Sequence, residues 1–216
     1  MDRGVLITFE GSEGCGKTTQ ISRMAARLED LGRPVVVTRE PGGTPIGENI
    51  RHLLIQTDGP NLFPETELLL FAACRAQLVR EIIGPALEKK NFVLCDRFLD
   101  STTVYQGIAR CLPHEPIQCI NRFAAGHLLP DLTVVIDIPE DVSRQRVRLR
   151  ATSIPDRLER ETITFYKAVR EGYVLLAESY PERFILVDGT QSREEVAQRI
   201  WVEIEKRFLR SSSASH

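Results

Sequence analysis

The sequence predicts an α/β fold in which a five-stranded parallel sheet is flanked by helices on both faces. Three observations predict it. Apolar runs at 4–9, 34–38, 92–96, 132–137 and 184–187 alternate with longer amphipathic stretches, the rhythm of strand–helix–strand crossovers. The runs are rich in Val, Ile, Leu and Phe without strict alternation, as strands buried on both faces are. The first run leads through a glycine-rich loop into a helical stretch, the strand–loop–helix order of an anion-binding turn.

The first strand, Val5-Leu6-Ile7-Thr8-Phe9, runs into Gly11-Ser12-Glu13-Gly14-Cys15-Gly16-Lys17-Thr18. This is the G-x-x-x-x-G-K-[ST] pattern, and its strand and helix context is the one the motif requires. Gly11 and Gly16 tolerate backbone angles that other residues resist, so successive N–H groups can turn inward on phosphate oxygens. Lys17 is placed to reach the outer phosphates of a bound nucleotide, and the Thr18 hydroxyl to ligate Mg²⁺. A helix over 17–31 follows, and Gly32-Arg33-Pro34 ends it.

The second strand ends in Thr38-Arg39-Glu40-Pro41-Gly42-Gly43-Thr44, where Pro-Gly-Gly forces a tight turn. The turn alone explains Arg39 as well as a ligand does. A helix over about 45–56 carries Arg51. A longer one, 66–90, carries Phe71 and Arg75, four apart and on one face. Together they suit stacking on an aromatic base and bonding its edge; alone, Phe71 reads as core.

The third strand ends in Asp96-Arg97. A carboxylate closing a buried strand beside a phosphate loop is the usual second Mg²⁺ partner, and Arg97 adds a fork for a phosphate. Asp137, at the end of the fourth strand, is the competing carboxylate. A helix over 101–110 repeats the four-residue spacing in Ser101 with Tyr105 and Thr102 with Gln106. A helix over 115–128 stops at Gly126 and Pro130. In the helix over 139–152, Arg144, Arg146, Arg148 and Arg150 form two stripes of like charge, which either face solvent or close on an anion. Thr152-Ser153-Ile154-Pro155 breaks that helix. Helices over 156–179 and 192–209 complete the chain, and 210–216 is expected to be a disordered tail.

Composition narrows the partners. A net charge of −2 over 216 residues gives no electrostatic case for nucleic acid or a membrane surface. No apolar run is long enough to span a bilayer. Five cysteines, an odd number without metal spacing, read as reduced thiols of a cytoplasmic protein. One of them, Cys15, lies in the phosphate loop. The length suits one domain over 1–209.

Taken together, these stretches resemble the bacterial thymidylate kinase (dTMP kinase) family. The resemblance is carried by Phe9 through Thr19, Thr38 through Thr44, Leu70-Phe71-Ala72-Ala73-Cys74-Arg75-Ala76-Gln77, Asp96 through Gly107, Pro130-Asp131-Leu132-Thr133 and Asp156-Arg157-Leu158-Glu159. It implies a P-loop NTPase fold of the nucleoside monophosphate kinase type and transfer of phosphate from ATP, with Mg²⁺, to dTMP. It further implies that Gly11, Ser12, Glu13, Gly14, Cys15, Gly16, Lys17, Thr18 and Thr19 bind ATP, with Asp96 near the metal. Glu13 would take the acceptor's 3′-hydroxyl, and Arg97 and Arg51 its phosphate. Phe71 would stack on thymine and Arg75 bond its O4 edge. Thr102 and Gln106 would complete base recognition, with Ser101 beside them, and Tyr105 would lie under the deoxyribose and exclude a 2′-hydroxyl. Arginines of a lid over about 143–156, Arg148 or Arg150, would stabilise the transferring phosphate, since the variable part of the phosphate loop has no basic residue. A homodimer packed through helices that include 66–90 is also implied. Three departures stand out: Thr152-Ser153 where the family carries Arg-Gly, Cys74 for the usual Asp beside Arg75, and Leu78 for the usual His.

Overall fold

Every residue of β1 (Val5–Glu10) is buried, because this strand lies in the middle of the sheet. The structure is a computed structural model describing residues 3–56, 62–150, 157–158 and 160–210. β2 (Val35–Arg39), β3 (Phe92–Asp96), β4 (Leu132–Asp137) and β5 (Phe184–Asp188) complete one sheet in the order β2-β3-β1-β4-β5. All four pairings are parallel. The five expected runs are therefore the five strands.

Alternate residues of β1 feed opposite faces, as the two-residue period of a strand requires. Val5, Ile7 and Phe9 join a core with Ile21, Met24 and Leu28 of α1 (Lys17–Asp30) and Val196 and Ile200 of α9 (Arg193–Ile204). Leu6 joins Val93, Cys95, Leu78, Ile83, Leu87 and Phe98 on the other side. A third cluster, Val104, Tyr105, Val135, Phe165, Val169 and Tyr173, lies under α8 (Ile163–Ser179). Each fully buried side chain of this kind contributes roughly 1.5–3 kcal/mol.

Register places the chemistry. Phe9 pairs with Asp96, and Asp96 with Arg39, so three strands end level with one another. The chain stays tied beyond the strands: Arg97 N–H donates to the Phe9 carbonyl at 3.0 Å, and Glu40 N–H to the Asp96 carbonyl at 2.9 Å. The phosphate loop, the Pro-Gly-Gly turn and Arg97 thus emerge side by side at the carboxyl edge, where open α/β sheets bind ligands.

The helices depart from the sequence expectation in four places. Two of them are at the chain's later helices: the one expected over 192–209 is α9 to Ile204 and then a π-helical segment, Glu205–Leu209, and α8 starts later than expected. The stretch expected as one helix over 66–90 is α3 (Pro64–Leu78), a widened π turn over Val79–Ile83, and α4 (Gly84–Glu88). Pro85 has no N–H to donate to the preceding turn, and the wider turn accommodates it. After β3, α5 (Leu99–Thr102) passes into a π-helical segment, Thr103–Ala109; wide turns of this kind recur at functional sites. The other helices are α2 (Pro45–Ile55), α6 (His114–Ala125) and α7 (Glu140–Arg150). The helix expected over 156–179 begins only at Ile163, where the Thr162 hydroxyl caps it by accepting from Phe165 N–H at 3.2 Å, and 157, 158 and 160 lie in turns instead. Residues 156 and 159, the end of the expected lid at 151–156 and the tail from 211 lie outside the described residues. Among the described residues, no helix is long and apolar enough to cross a membrane.

Candidate active site

The phosphate loop begins where β1 ends. Gly11 has φ +130°, and a Cβ there would run into the Ile136 carbonyl on β4, so only glycine lets the loop turn this close to the sheet. Gly16, at φ +105°, precedes α1, whose start has no side-chain cap. The first N–H groups of that helix are left to an anion, and the helix dipole adds to the attraction. Lys17 is buried and folds back, its Nζ donating to the Gly11 and Ser12 carbonyls at 3.1 Å each. Cys15 Sγ lies 3.6 Å from the same Nζ.

Asp96 stands across from the start of α1, and Thr18 Oγ1 donates to its Oδ2 at 3.1 Å. The rival carboxylate, Asp137, is held by both arms of Arg170 at 2.8 Å. Thr18 and Asp96 together fit Mg²⁺: one hydroxyl and one carboxylate oxygen, hard donors, with the remaining positions left to phosphate and water. Among the described residues, no cluster of three or more His, Cys, Asp or Glu forms a metal cage.

Arg97 faces this pair and is the most constrained residue of the site. Its φ is +70°, a strained value for a residue with a side chain. Its Nη2 contacts Glu13 Oε1 at 2.6 Å, and its Nη1 reaches Ser101 Oγ at 3.2 Å and the Tyr173 hydroxyl at 3.3 Å. The guanidinium lies 4.9 Å from the Tyr105 ring centroid, a cation–π contact. Burial opposes its charge, but Glu13, Tyr105, Tyr173 and Glu10 hold its pKa well above the usual arginine value.

Beneath it, the buried carboxylate of Glu10 accepts from Phe98 N–H at 2.8 Å, Ser101 Oγ at 2.6 Å and the Tyr173 hydroxyl at 2.7 Å. Burial raises the Glu10 pKa, while Arg97 pulls it down. Sequence reasoning missed both supports. Glu10 was accessible as a carboxylate closing the central strand; Tyr173, mid-helix and distant in the chain, carries no local signal.

A cavity of about 250 Å³ opens between these groups. Its lining unites Lys17, Thr18 and Asp96 with Glu13, Arg51, Phe71, Arg97, Ser101, Thr102, Tyr105 and Gln106, together with Arg39, Glu40 and Leu158, which the expected site did not include. Arg51 Nη1 donates to the Pro41 carbonyl at 3.0 Å. Gln106 donates from Nε2 to Glu67 at 2.6 Å. Among the described residues, the buried Tyr105 hydroxyl makes no hydrogen bond of good geometry, and the Arg97 guanidinium beside it is its polar neighbour.

Arg75 is not part of that lining. It is 1% exposed, and its guanidinium is taken up by Glu40 Oε2 at 2.8–3.0 Å, Asn121 Oδ1 at 2.7 Å, Thr102 Oγ1 at 2.8 Å and the Phe98 carbonyl at 3.3 Å. Cys74 beside it carries no charge, and the carboxylate that pairs with Arg75 is Glu40. Leu78 is fully buried, and a Cβ on Gly43 would lie 2.7 Å from its Cδ1, so Leu78 packs beneath the Pro-Gly-Gly turn.

On the other side of the loop, a second cavity of about 310 Å³ is lined by Gly14, Cys15, Gly16 and Thr19, by Arg146 and Leu149 of α7, and by Gly189, Gln191 and Arg193. α7 rests on the loop: Ser143 Oγ donates to the Glu13 carbonyl at 2.6 Å, and a Cβ on Gly14 would lie 3.1 Å from Arg146 Cβ. Arg148 is exposed, and the Arg150 side chain lies outside the described residues.

A phosphate loop at the centre of a parallel sheet, with a carboxylate and an arginine on the neighbouring strand end, defines a P-loop phosphotransferase. The comparisons with known proteins refine this. A family model described as thymidylate kinase matches residues 9–200. A thymidylate kinase of Geobacter sulfurreducens is 49% identical over 201 residues, covering 91% of this chain and 94% of its own. One of Deinococcus radiodurans is 44% identical over 207 residues, covering 96% and 99%. The crystal structure of thymidylate kinase from Ehrlichia chaffeensis superposes with a TM-score of 0.76 at 31% identity, covering 93% of this chain and 98% of that one. The chain belongs to the thymidylate kinase family.

Proposed function

We propose that this chain transfers the terminal phosphate of ATP to dTMP, giving ADP and dTDP, a step towards dTTP for DNA synthesis. The observation that carries this reading is the single cavity in which Lys17 and Thr18 stand opposite Arg97 and Arg51, with Phe71 and Tyr105 in the wall. Cations on both sides suit two phosphorylated substrates meeting end to end, and apolar walls suit a base.

In this reading the loop from Gly11 to Thr19 holds the ATP phosphates, and Lys17 exchanges the Gly11 and Ser12 carbonyls for phosphate oxygens. Thr18 and Asp96 hold Mg²⁺, which when bound neutralises charge on the transferring phosphates. Arg97 and Arg51 clamp the acceptor phosphate, so the Arg97–Glu13 contact yields as the acceptor enters. Glu13 then accepts from the 3′-hydroxyl. Phe71 stacks on the base, Thr102, Ser101 and Gln106 supply polar contacts, and Tyr105 fills the space a 2′-hydroxyl needs. Arg75 reaches the O4 edge only by giving up one of its present bonds; otherwise it acts through Thr102. The lid over about 143–156 supplies the arginine that stabilises the transition state, from among Arg146, Arg148 and Arg150. Positioning and electrostatics supply the acceleration, with no covalent intermediate.

The adenine end of ATP lies in the second cavity, near Gly189 and Gln191. The apolar face shared by Leu69, Ala72, Ala73, Ala76, Ile120 and Phe123, with Phe123 80% exposed, supports a homodimer packed through α3 and α6. The kinase domain runs over 1–209 and works in the cytoplasm, without nucleic acid or membrane partners.

An acceptor panel with ATP and Mg²⁺ tests the function. ADP release with dTMP and none with thymidine is the expected result; release with thymidine alone would assign the site to a nucleoside.

A further inference from the structure

The Gln106 amide is gripped from behind by a buried carboxylate that no part of the reaction above uses. Glu67, on α3, is 1% exposed. Its Oε1 accepts from Gln106 Nε2 at 2.6 Å. Its Oε2 meets Arg157 at 2.6 Å and Arg110 at 3.3 Å. Burial pushes this carboxyl up, but Gln106 and the two guanidinium groups together hold it below the usual glutamate range. An ionised carboxylate only accepts hydrogen bonds, so the amide must turn its nitrogen toward Glu67. The carbonyl oxygen is then the end of Gln106 left to meet a ligand in the cavity it lines.

We infer that Glu67 is a positioning residue for base choice: by fixing the Gln106 amide as an acceptor, it selects a pyrimidine whose N3 carries a proton over one whose N3 is bare. Thymine and uracil present an N3–H donor; cytosine presents a lone pair there. An amide free to rotate would serve either base. The inference rests on the reading of Gln106 as a base contact.

The test is a double-mutant cycle on binding. Dissociation constants for dTMP and dCMP are measured by calorimetry for the wild type, Gln106→Ala, Glu67→Gln and the double variant. Gln106→Ala is expected to reduce the dTMP:dCMP preference about tenfold, the size of one lost buried hydrogen bond. Glu67→Gln is expected to reduce it similarly, and the double variant no further than Gln106→Ala alone. If Gln106→Ala lowers the preference and Glu67→Gln leaves it at the wild-type value, the role of Glu67 is overturned while Gln106 keeps its own. If Gln106→Ala leaves the preference intact, the base-contact reading fails and the inference with it. Additive losses would mean that Glu67 acts through another route, which also overturns the inference. Should Glu67→Gln not accumulate as folded protein, Glu67→Asp keeps the charge for both arginines, withdraws the oxygen from Gln106 and is read in the same way.

Discussion

Arg97 lies 2.6 Å from Glu13, so the residue proposed to clamp the acceptor is held by a carboxylate of the donor's own loop. The pair presents a guanidinium at the mouth of the phosphate loop, and Tyr173, Ser101 and Tyr105 pin it from the remaining sides. Replacing Arg97 with Ala removes a fork aimed at a phosphate. The expected result is a rise in KM for dTMP and a fall in kcat, together about a thousandfold in kcat/KM, or ~4 kcal/mol. Lysine carries the charge without the fork and should recover only part of the loss. Steady-state kinetics with dTMP varied will show this; wild-type constants for Arg97→Ala would remove the clamp.

Tyr105 separates packing from polarity. Its ring meets Phe165 at 5.9 Å and Tyr173 at 6.4 Å between centroids, while among the described residues its hydroxyl makes no hydrogen bond of good geometry. Tyr105→Phe should therefore change stability by no more than about 0.5 kcal/mol, since the deleted hydroxyl makes no hydrogen bond of good geometry among the described residues. Tyr105→Ala should lower stability by about 3–5 kcal/mol and admit the ribonucleotide form of the acceptor. Thermal denaturation and a comparison of dTMP with rTMP check the two halves; unchanged sugar discrimination in Tyr105→Ala would reject the exclusion role.

Glu40 makes stability depend on pH. Burial raises its carboxyl from 4.5 to about 7, with Arg75 lowering it and Glu10 raising it. The folded chain therefore holds this proton more tightly than the unfolded chain. The associated stability is fully present below pH ~4.5 and is lost as pH rises through about 7, an effect of about 3 kcal/mol. Glu10, shifted the same way, adds to the trend. In Glu40→Gln the fall across this window should be shallower than in the wild type. Urea midpoints measured at half-unit pH steps decide it, and parallel curves would contradict the shift at Glu40.

Among the lid arginines, Arg146 lines a cavity beside the phosphate loop, and Arg148 is exposed on the same helix. Arg146→Ala should lower kcat about a hundredfold with little change in KM for dTMP, and Arg148→Ala should lower it less. Single-turnover rates of phosphate transfer give the comparison. A larger loss from Arg148→Ala would mean that the lid closes with its other stripe toward the phosphates.

The part of the site that was legible in the sequence is the part written in contiguous residues. Gly11 to Thr18 is legible because one loop must supply the amides, the lysine and the hydroxyl. Asp96-Arg97 is legible because a buried strand ends there. Helical spacing, by contrast, placed Phe71 and Arg75 on a common face but could not say which way that face points. The structure directs Phe71 to the cavity and Arg75 inward to Glu40 and Asn121, partners from two distant segments. Glu67 and Tyr173 were silent for the same reason, since each matters only through residues brought to it by the fold. The widened turn at 103–109 was likewise invisible to a spacing that assumes a regular helix.

The account stands most directly on where the acceptor's phosphate lies. A crystal structure with dTMP and a non-hydrolysable ATP analogue bound measures this. The expected result is the dTMP phosphate within hydrogen-bond reach of the Arg97 guanidinium, facing the analogue's terminal phosphate across the cavity, with the Arg97–Glu13 contact opened. A dTMP phosphate bound elsewhere, or Arg97 turned to bulk water, would contradict it.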